Sequence, residues 1–228
     1  MTEKRDFSTE AALWDENPMK VKITSEIGDS IIAHVELTDK TDVLDFGCGT
    51  GILSFKLAPL VKSVTGTDSA KGMLDVFNAK TKRLGIGNTK AELIDVEKDG
   101  VLTGTYNLVT SSMTLHHIKD TARLFKQFYN VLGDSGMLVV ADLDLDNGKF
   151  HEDSSGVFHN GFDRKEFADS LAQTGFKDVR FFHATEITKP SPDGEKNTFS
   201  VFLATARKRP VSVTDLGTDL FSDSPTRK

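Results

Sequence analysis

The chain has 228 residues, 38% of them hydrophobic and 27% charged, with one cysteine, six prolines and a formal net charge of −6, a composition that suits one α/β domain with additions. Cys48 alone can form neither an intrachain disulfide nor a cysteine zinc site, which fits a reducing compartment, the cytoplasm or the nucleus, and the negative charge opposes nucleic acid as a partner. No apolar run approaches the roughly 20 residues that span a bilayer, and the charged start MTEKRDFSTE lacks an apolar signal core, so neither membrane insertion nor secretion is expected.

In chain order, Ile23, Ile27, Ile31 and Val35 recur every four residues behind Pro18 and predict an amphipathic helix, part of a helical cap over about 8–36. TDVLDF reads as a strand, the glycines after it as a turn, and ILSFKLAPL as a helix stopped near Pro59. The cycle repeats: SVTGTD is a strand, AKGMLDVFNAKTKRLG a helix stopped at Gly85, KAELIDV a strand ending in Asp95, and YNLVTSS a strand. After the connector MTLHHI, DTARLFKQFYNVLG is a helix closed by Gly133 and GMLVVADL a strand. DRKEFADSLAQTGF is a helix with Asp163 as N-cap, and KDVRFFHAT and NTFSVFLATA form an antiparallel hairpin. Strands separated by helices imply right-handed crossovers, hence an α/β, Rossmann-like, doubly wound, seven-stranded sheet, mainly parallel with a C-terminal antiparallel hairpin. The domain is expected to cover residues 1–206, with a polar, disordered tail over 207–228.

The densest signal is VLDFGCGTG, in which Asp45 ends a strand and Gly47, Gly49 and Gly51 follow. Glycines there let the backbone turn tightly and approach a ligand that a Cβ would exclude. The spacing departs from a dinucleotide fingerprint, since Ile52 stands where the third glycine would be, and no G-K-[ST] follows to make a P-loop. The segment resembles the first motif of class I S-adenosylmethionine-dependent methyltransferases, an acidic residue followed by G-x-G-x-G. The resemblance implies S-adenosylmethionine as cofactor. It assigns Asp68 to the ribose hydroxyls, Asp95 to the adenine and the segment that holds Ser111 to the methionine end, and it counts Ser69 and Val96 among the cofactor-binding residues with Asp45, Gly47, Cys48, Gly49 and Gly51 of the loop. Two residues admit another reading: Asp45 could cap its loop, and Asp68 could cap the helix starting near Ala70. Cys48, with no base beside it, reads as a small loop residue rather than a nucleophile. Trp14 either closes over the cofactor, as aromatics do in relatives, or simply packs.

Methyl transfer needs an aligned acceptor and, for a weak nucleophile, a base. Four histidines fall where an acceptor would approach: His116 and His117 after the fourth strand, and His151 and His159 in the insertion KFHEDSSGVFHNGF. The acidic run DLDLDNGKFHED invites a metal reading, but Asn147 occupies the glycine position of the EF-hand template, and a solvated turn has the same composition; no metal is assigned. Ser111, Ser112, Met113 and Thr114 stand where amino-methylating DNA enzymes carry Asp/Asn-Pro-Pro-aromatic, and no Pro-Cys or paired-glutamate loop is present. What remains resembles small-molecule methyltransferases, loosely those of ubiquinone and menaquinone biosynthesis. The expected function is methyl transfer to a small-molecule hydroxyl, thiol or activated carbon. The alternative is a non-catalytic protein that keeps the fold as a binding or interaction module, although such a relative would be expected to lose the glycines or the ribose-binding acid.

Overall fold

The structure is a computed structural model and describes residues 7–98, 100–190 and 196–209. Its centre is β1 (Asp42–Phe46), whose side chains alternate between two apolar faces and are nearly all buried. Around it lie β2 (Ser63–Asp68), β3 (Thr89–Leu93), β4 (Tyr106–Ser112), β5 (Leu132–Leu143), β6 (Lys177–Pro190) and β7 (Lys196–Arg207). The sheet order is β3-β2-β1-β4-β5-β7-β6, with β1 to β5 parallel and β7 antiparallel to both β5 and β6.

Helices cover both faces, as crossovers between parallel strands require. On one side α1 (Pro18–His34) and α2 (Ile52–Leu57) bury Ile23, Ile27, Ile31, Leu53 and Leu57 against Val43, Val64, Leu108 and Val139. On the other, α4 (Thr121–Val131) and α5 (Arg164–Thr174) bury Leu124, Phe125, Phe128, Phe167 and Leu171 against Leu44, Phe46, Val109 and Val140. Burying a side chain such as the fully enclosed Phe128 contributes roughly 1.5–3 kcal/mol. Capping follows the sequence: Asn17 accepts the Met19 and Lys20 amides ahead of Pro18, and Asp163 accepts those of Lys165 and Glu166. The third helix of the parallel half, α3 (Lys71–Leu84), carries a 3-10 turn (Phe7–Glu16) laid across it.

Three boundaries differ from expectation. The third strand stops at Leu93, opposite Asp68, because its partner β2 ends there; Asp95 lies two residues beyond, in a turn where it accepts the Glu97 amide. The helix α4 ends at Val131, and Gly133 does not close it: Leu132 already pairs with Tyr106 of β4, so the chain passes directly into β5. The expected tail starts at Arg207, yet Arg207 still belongs to β7, and the Lys208 amide donates to the Gly136 carbonyl at 2.9 Å. Residues 210–228, on which the rest of the disordered-tail expectation falls, lie outside the described residues.

Candidate active site

Parallel strands present their carboxyl ends to one edge, and the strand order reverses between β1 and β4, which opens a crevice there. A cleft lined by the loop after β1 and by the ends of β2 and β4 occupies this position. Its floor is the loop after β1. Gly47 has φ +70°, and a Cβ there would stand 2.3 Å from Thr114 Cγ2, so this glycine is required by packing. Gly51, at φ +87°, would collide with Phe77 and does not line the cleft. Gly49 is different. At φ +53° its missing Cβ would meet only Met73 Sδ, 4.0 Å away, so the space it leaves belongs to the cleft.

Asp68 closes the loop from β2. Its carboxylate accepts the Gly49 amide at 2.9 Å and the Ala70 amide at 2.8 Å, just ahead of α3, whose N-cap is Ala70, and it lines the cleft. Asp68 therefore does not cap α3 in the usual sense; it tethers the loop and the residue before the helix. Asp45 is 1% exposed and accepts from Ser54 Oγ at 2.5 Å and Thr110 Oγ1 at 3.0 Å. Burial raises its pKa to about 6 despite those two hydroxyls. Cys48 is buried between the loop and β2, and burial pushes its thiol well above the ordinary range, which leaves it unreactive. Ser69 and Val96 also line the cleft; Asp95 and Ser111 do not, Ser111 being turned into the sheet's packing with 1% exposure.

The four histidines converge, but only His117 reaches the cleft wall. A 3-10 turn (Leu115–His117) after β4 carries His116 and His117 and is bound to the insertion. The His116 carbonyl accepts the Phe158 amide at 2.9 Å, and His159 Nε2 donates to the Ile118 carbonyl at 2.8 Å. His117 Nδ1 donates to the Gly156 carbonyl at 2.7 Å, which fixes its tautomer and leaves the lone pair on Nε2. Burial first, then the neighbouring His116, lowers the His117 pKa to about 4, away from the near-neutral value expected of a histidine base. His151 is likewise lowered to about 4 by burial and by His116, and its Nε2 is buried without a partner among the described residues. His159 is spent on the Ile118 carbonyl and stays behind the wall.

Sequence reasoning did not single out several lining residues. Ser112, one position past Ser111, faces the cleft with a buried hydroxyl that has no partner among the described residues. Strand alternation carried that signal, since neighbouring residues face opposite sides. Phe7 lines the cleft as well, beside Trp14, which the sequence already marks, and their 3-10 turn is latched to the loop: Asp15 accepts from Thr50 Oγ1 and from Lys80 Nζ, both at 2.6 Å.

The glycine cradle, the orphaned Ser112 hydroxyl and two carboxylates suit a ligand that carries positive charge and a polar amino acid portion, as S-adenosylmethionine does. Comparison with known proteins agrees. A family model described as a methyltransferase domain matches residues 43–136. An uncharacterised methyltransferase of Schizosaccharomyces pombe is 34% identical over 133 residues, 52% of this chain and 47% of that protein. A ubiquinone biosynthesis O-methyltransferase of Colwellia psychrerythraea is 29% identical over 133 residues, 56% of this chain and 53% of that one. The chain thus spans about half the length of these two relatives. The fold is shared with phosphoethanolamine N-methyltransferase 2 of Haemonchus contortus in complex with S-adenosylmethionine, at TM-score 0.66 and 16% identity, over 88% of this chain and 60% of that one. With the glycine loop and strand-end carboxylates at the carboxyl edge of a seven-stranded sheet, and the methyltransferase-domain match over residues 43–136, the chain is similar to class I S-adenosylmethionine-dependent methyltransferases.

Proposed function

We propose that the protein transfers the methyl group of S-adenosylmethionine to a small molecule bearing an ionisable hydroxyl, thiol or carbon acid. The observation that carries this reading is His117: its Nδ1 hydrogen is committed to Gly156, so a basic Nε2 is left on the wall of the cleft that holds the glycine loop. In this reading Asp68, Ser69 and the Gly47–Gly51 loop hold the cofactor, which supplies an electrophilic methyl group on a sulfonium. Met113, Thr114 and Ile118 wall the acceptor side next to His117.

With a pKa of about 4, His117 is neutral above pH 5 and available as an acceptor at every physiological pH. It is also a weak base, and each pKa unit separating it from the acceptor costs about 1.36 kcal/mol in proton transfer. The site therefore suits an acceptor whose own proton is acidic, a phenol, enol or thiol, better than an aliphatic alcohol. The ubiquinone biosynthesis relative is named as an O-methyltransferase, which supports a hydroxyl.

Calorimetric titration with S-adenosylmethionine, then a phenol, enol and thiol panel scored by S-adenosylhomocysteine release, tests the proposal. Binding with turnover is expected, and His117→Ala should lower kcat by about 10²-fold while cofactor affinity stays within a few-fold. Binding without turnover on any acceptor would favour the non-catalytic binding module. Unaltered turnover in the variant removes His117 from the chemistry.

A further inference from the structure

Behind His117 lies a buried carboxylate that the cofactor site does not use. Asp142, on β5, has 0% exposure. Its Oδ1 accepts from His116 Nδ1 at 2.7 Å and from the Leu143 amide at 2.8 Å, and its Oδ2 accepts the Leu115 amide at 2.9 Å. Burial pushes its pKa up, but the His116 charge and hydrogen bond and the Leu143 amide outweigh that and hold the carboxyl below its ordinary range. Because the carboxylate is ionised and acceptor-only, His116 must donate through Nδ1. The rings of His116 and His117 are 4.2 Å apart, and those of His116 and His151 5.0 Å apart.

Burying a charge costs several kcal/mol before compensation, and an apolar residue of similar size is usually at least as stabilising, so stability alone does not account for Asp142. The chemistry of the cleft does. As the acceptor oxygen, sulfur or carbon forms its bond to the methyl carbon, the S–C bonding pair stays on sulfur and the acceptor's proton passes to His117 Nε2. Positive charge thereby moves from the sulfonium to an imidazole. That imidazole is crowded by His116 and His151, which disfavour a second charge, and Asp142 favours it.

We infer that Asp142 is the positioning residue of the acceptor site: through His116 and the Leu115 amide it fixes the histidine turn, and its negative charge offsets the charge that His117 gains. This rests on the methyltransferase reading above. The groups that set the pH response of the cluster are His116 and His117 on the turn, Asp142 on β5 and His151 on the insertion, with Lys189 of β6 and Asp146 acting on His151.

The test uses Asp142→Asn in the full chain. The amide keeps the shape and one acceptor oxygen but removes the charge. In ring-labelled protein with S-adenosylhomocysteine, nitrogen NMR should show Nδ1 of wild-type His116 protonated, and the variant should lose that preference. With the acceptor found by the panel, kcat should fall 10- to 10³-fold with the cofactor Kd within threefold, and the acid limb of the kcat profile should move to lower pH. A wild-type His116 in the Nε2–H form, or a folded variant with unchanged kcat and pH profile, overturns the inference. If Asp142→Asn does not fold, His116→Asn, which leaves the carboxylate an N–H donor, decides on the same kcat and pH readouts. If no acceptor is turned over, the methyltransferase reading fails, and the tautomer of His116 still decides the pair.

Discussion

The carboxylate of Asp68 accepts the Gly49 amide at 2.9 Å, so the end of β2 shapes the loop that follows β1 as well as lining the cleft. Asp68→Ala removes this acceptor and, in the assigned role, the partner of the ribose hydroxyls. The expected loss is about 1–3 kcal/mol, or about 5–150-fold in S-adenosylmethionine affinity. An unchanged Kd in a folded variant would sink the assignment.

The glycines of the loop should separate in a mutational series. Gly49→Ala places a methyl group in the open cleft at a left-handed φ of +53°, costing about 1–2 kcal/mol of stability while weakening cofactor binding at least tenfold. Gly47→Ala sets a methyl group 2.3 Å from Thr114 Cγ2 and should lower the Tm by more. Thermal melts and calorimetry on both variants check the contrast; equal effects on Tm and Kd at the two positions would refute it.

Three groups titrate in opposite senses. Asp45 has its pKa raised by burial from 3.8 to about 6, so the folded state holds its proton longer and stability falls as pH rises from about 4 to 6, by about 3 kcal/mol. His117 is depressed from 6.5 to about 4, so its contribution is present above pH 6.5 and is lost as pH falls, by a similar amount; His151 adds in the same sense. Between pH 6 and 4 these contributions partly cancel. Asp45→Asn should therefore steepen the acid loss measured by urea unfolding and raise stability at pH 7, whereas His117→Asn should flatten it. A profile that ignores both substitutions refutes the assignment.

Asp45 also couples to the cofactor. A cationic ligand favours its ionised form, so binding at pH 6 should release protons, seen as a binding enthalpy that varies with the ionisation enthalpy of the buffer. The effect should vanish in Asp45→Asn.

Asp15 ties the 3-10 turn to Thr50 and Lys80. Asp15→Ala should leave the sheet intact, because the turn lies outside it, while S-adenosylmethionine dissociates several-fold faster. Stopped-flow displacement measures this, and an unchanged off-rate would separate the turn from cofactor retention.

Much of this arrangement was legible in the chain. The glycine loop, Asp68 at a strand end and the alternation of strands with helices are local signals, and Asn17, Pro18 and Asp163 mark helix starts by chemistry that acts within four residues. What was illegible depends on distant partners. The three aspartates of DLDLD look equivalent in sequence, yet Asp142 is buried against His116, Asp144 makes two 2.7 Å contacts with Arg164, and Asp146 accepts the Gly148 and Phe150 amides. Only β5, ending at Leu143, distinguishes them. Likewise the turn and the insertion together offered four candidate bases, whereas the Gly156 carbonyl takes Nδ1 of His117 and the Ile118 carbonyl Nε2 of His159, pairings that no spacing encodes.

The placement of β7 between β5 and β6 bears on how the molecule is made. A ribosome delivers β7 after all the other strands, but it joins the interior of the sheet and pairs along both sides. Until Lys196–Arg207 emerge, β5 has an open edge and β6 has no neighbour, and open edges recruit other chains. The nascent protein therefore holds an unfinished sheet until β7 has emerged, and chaperones that mask strand edges should matter most over that interval.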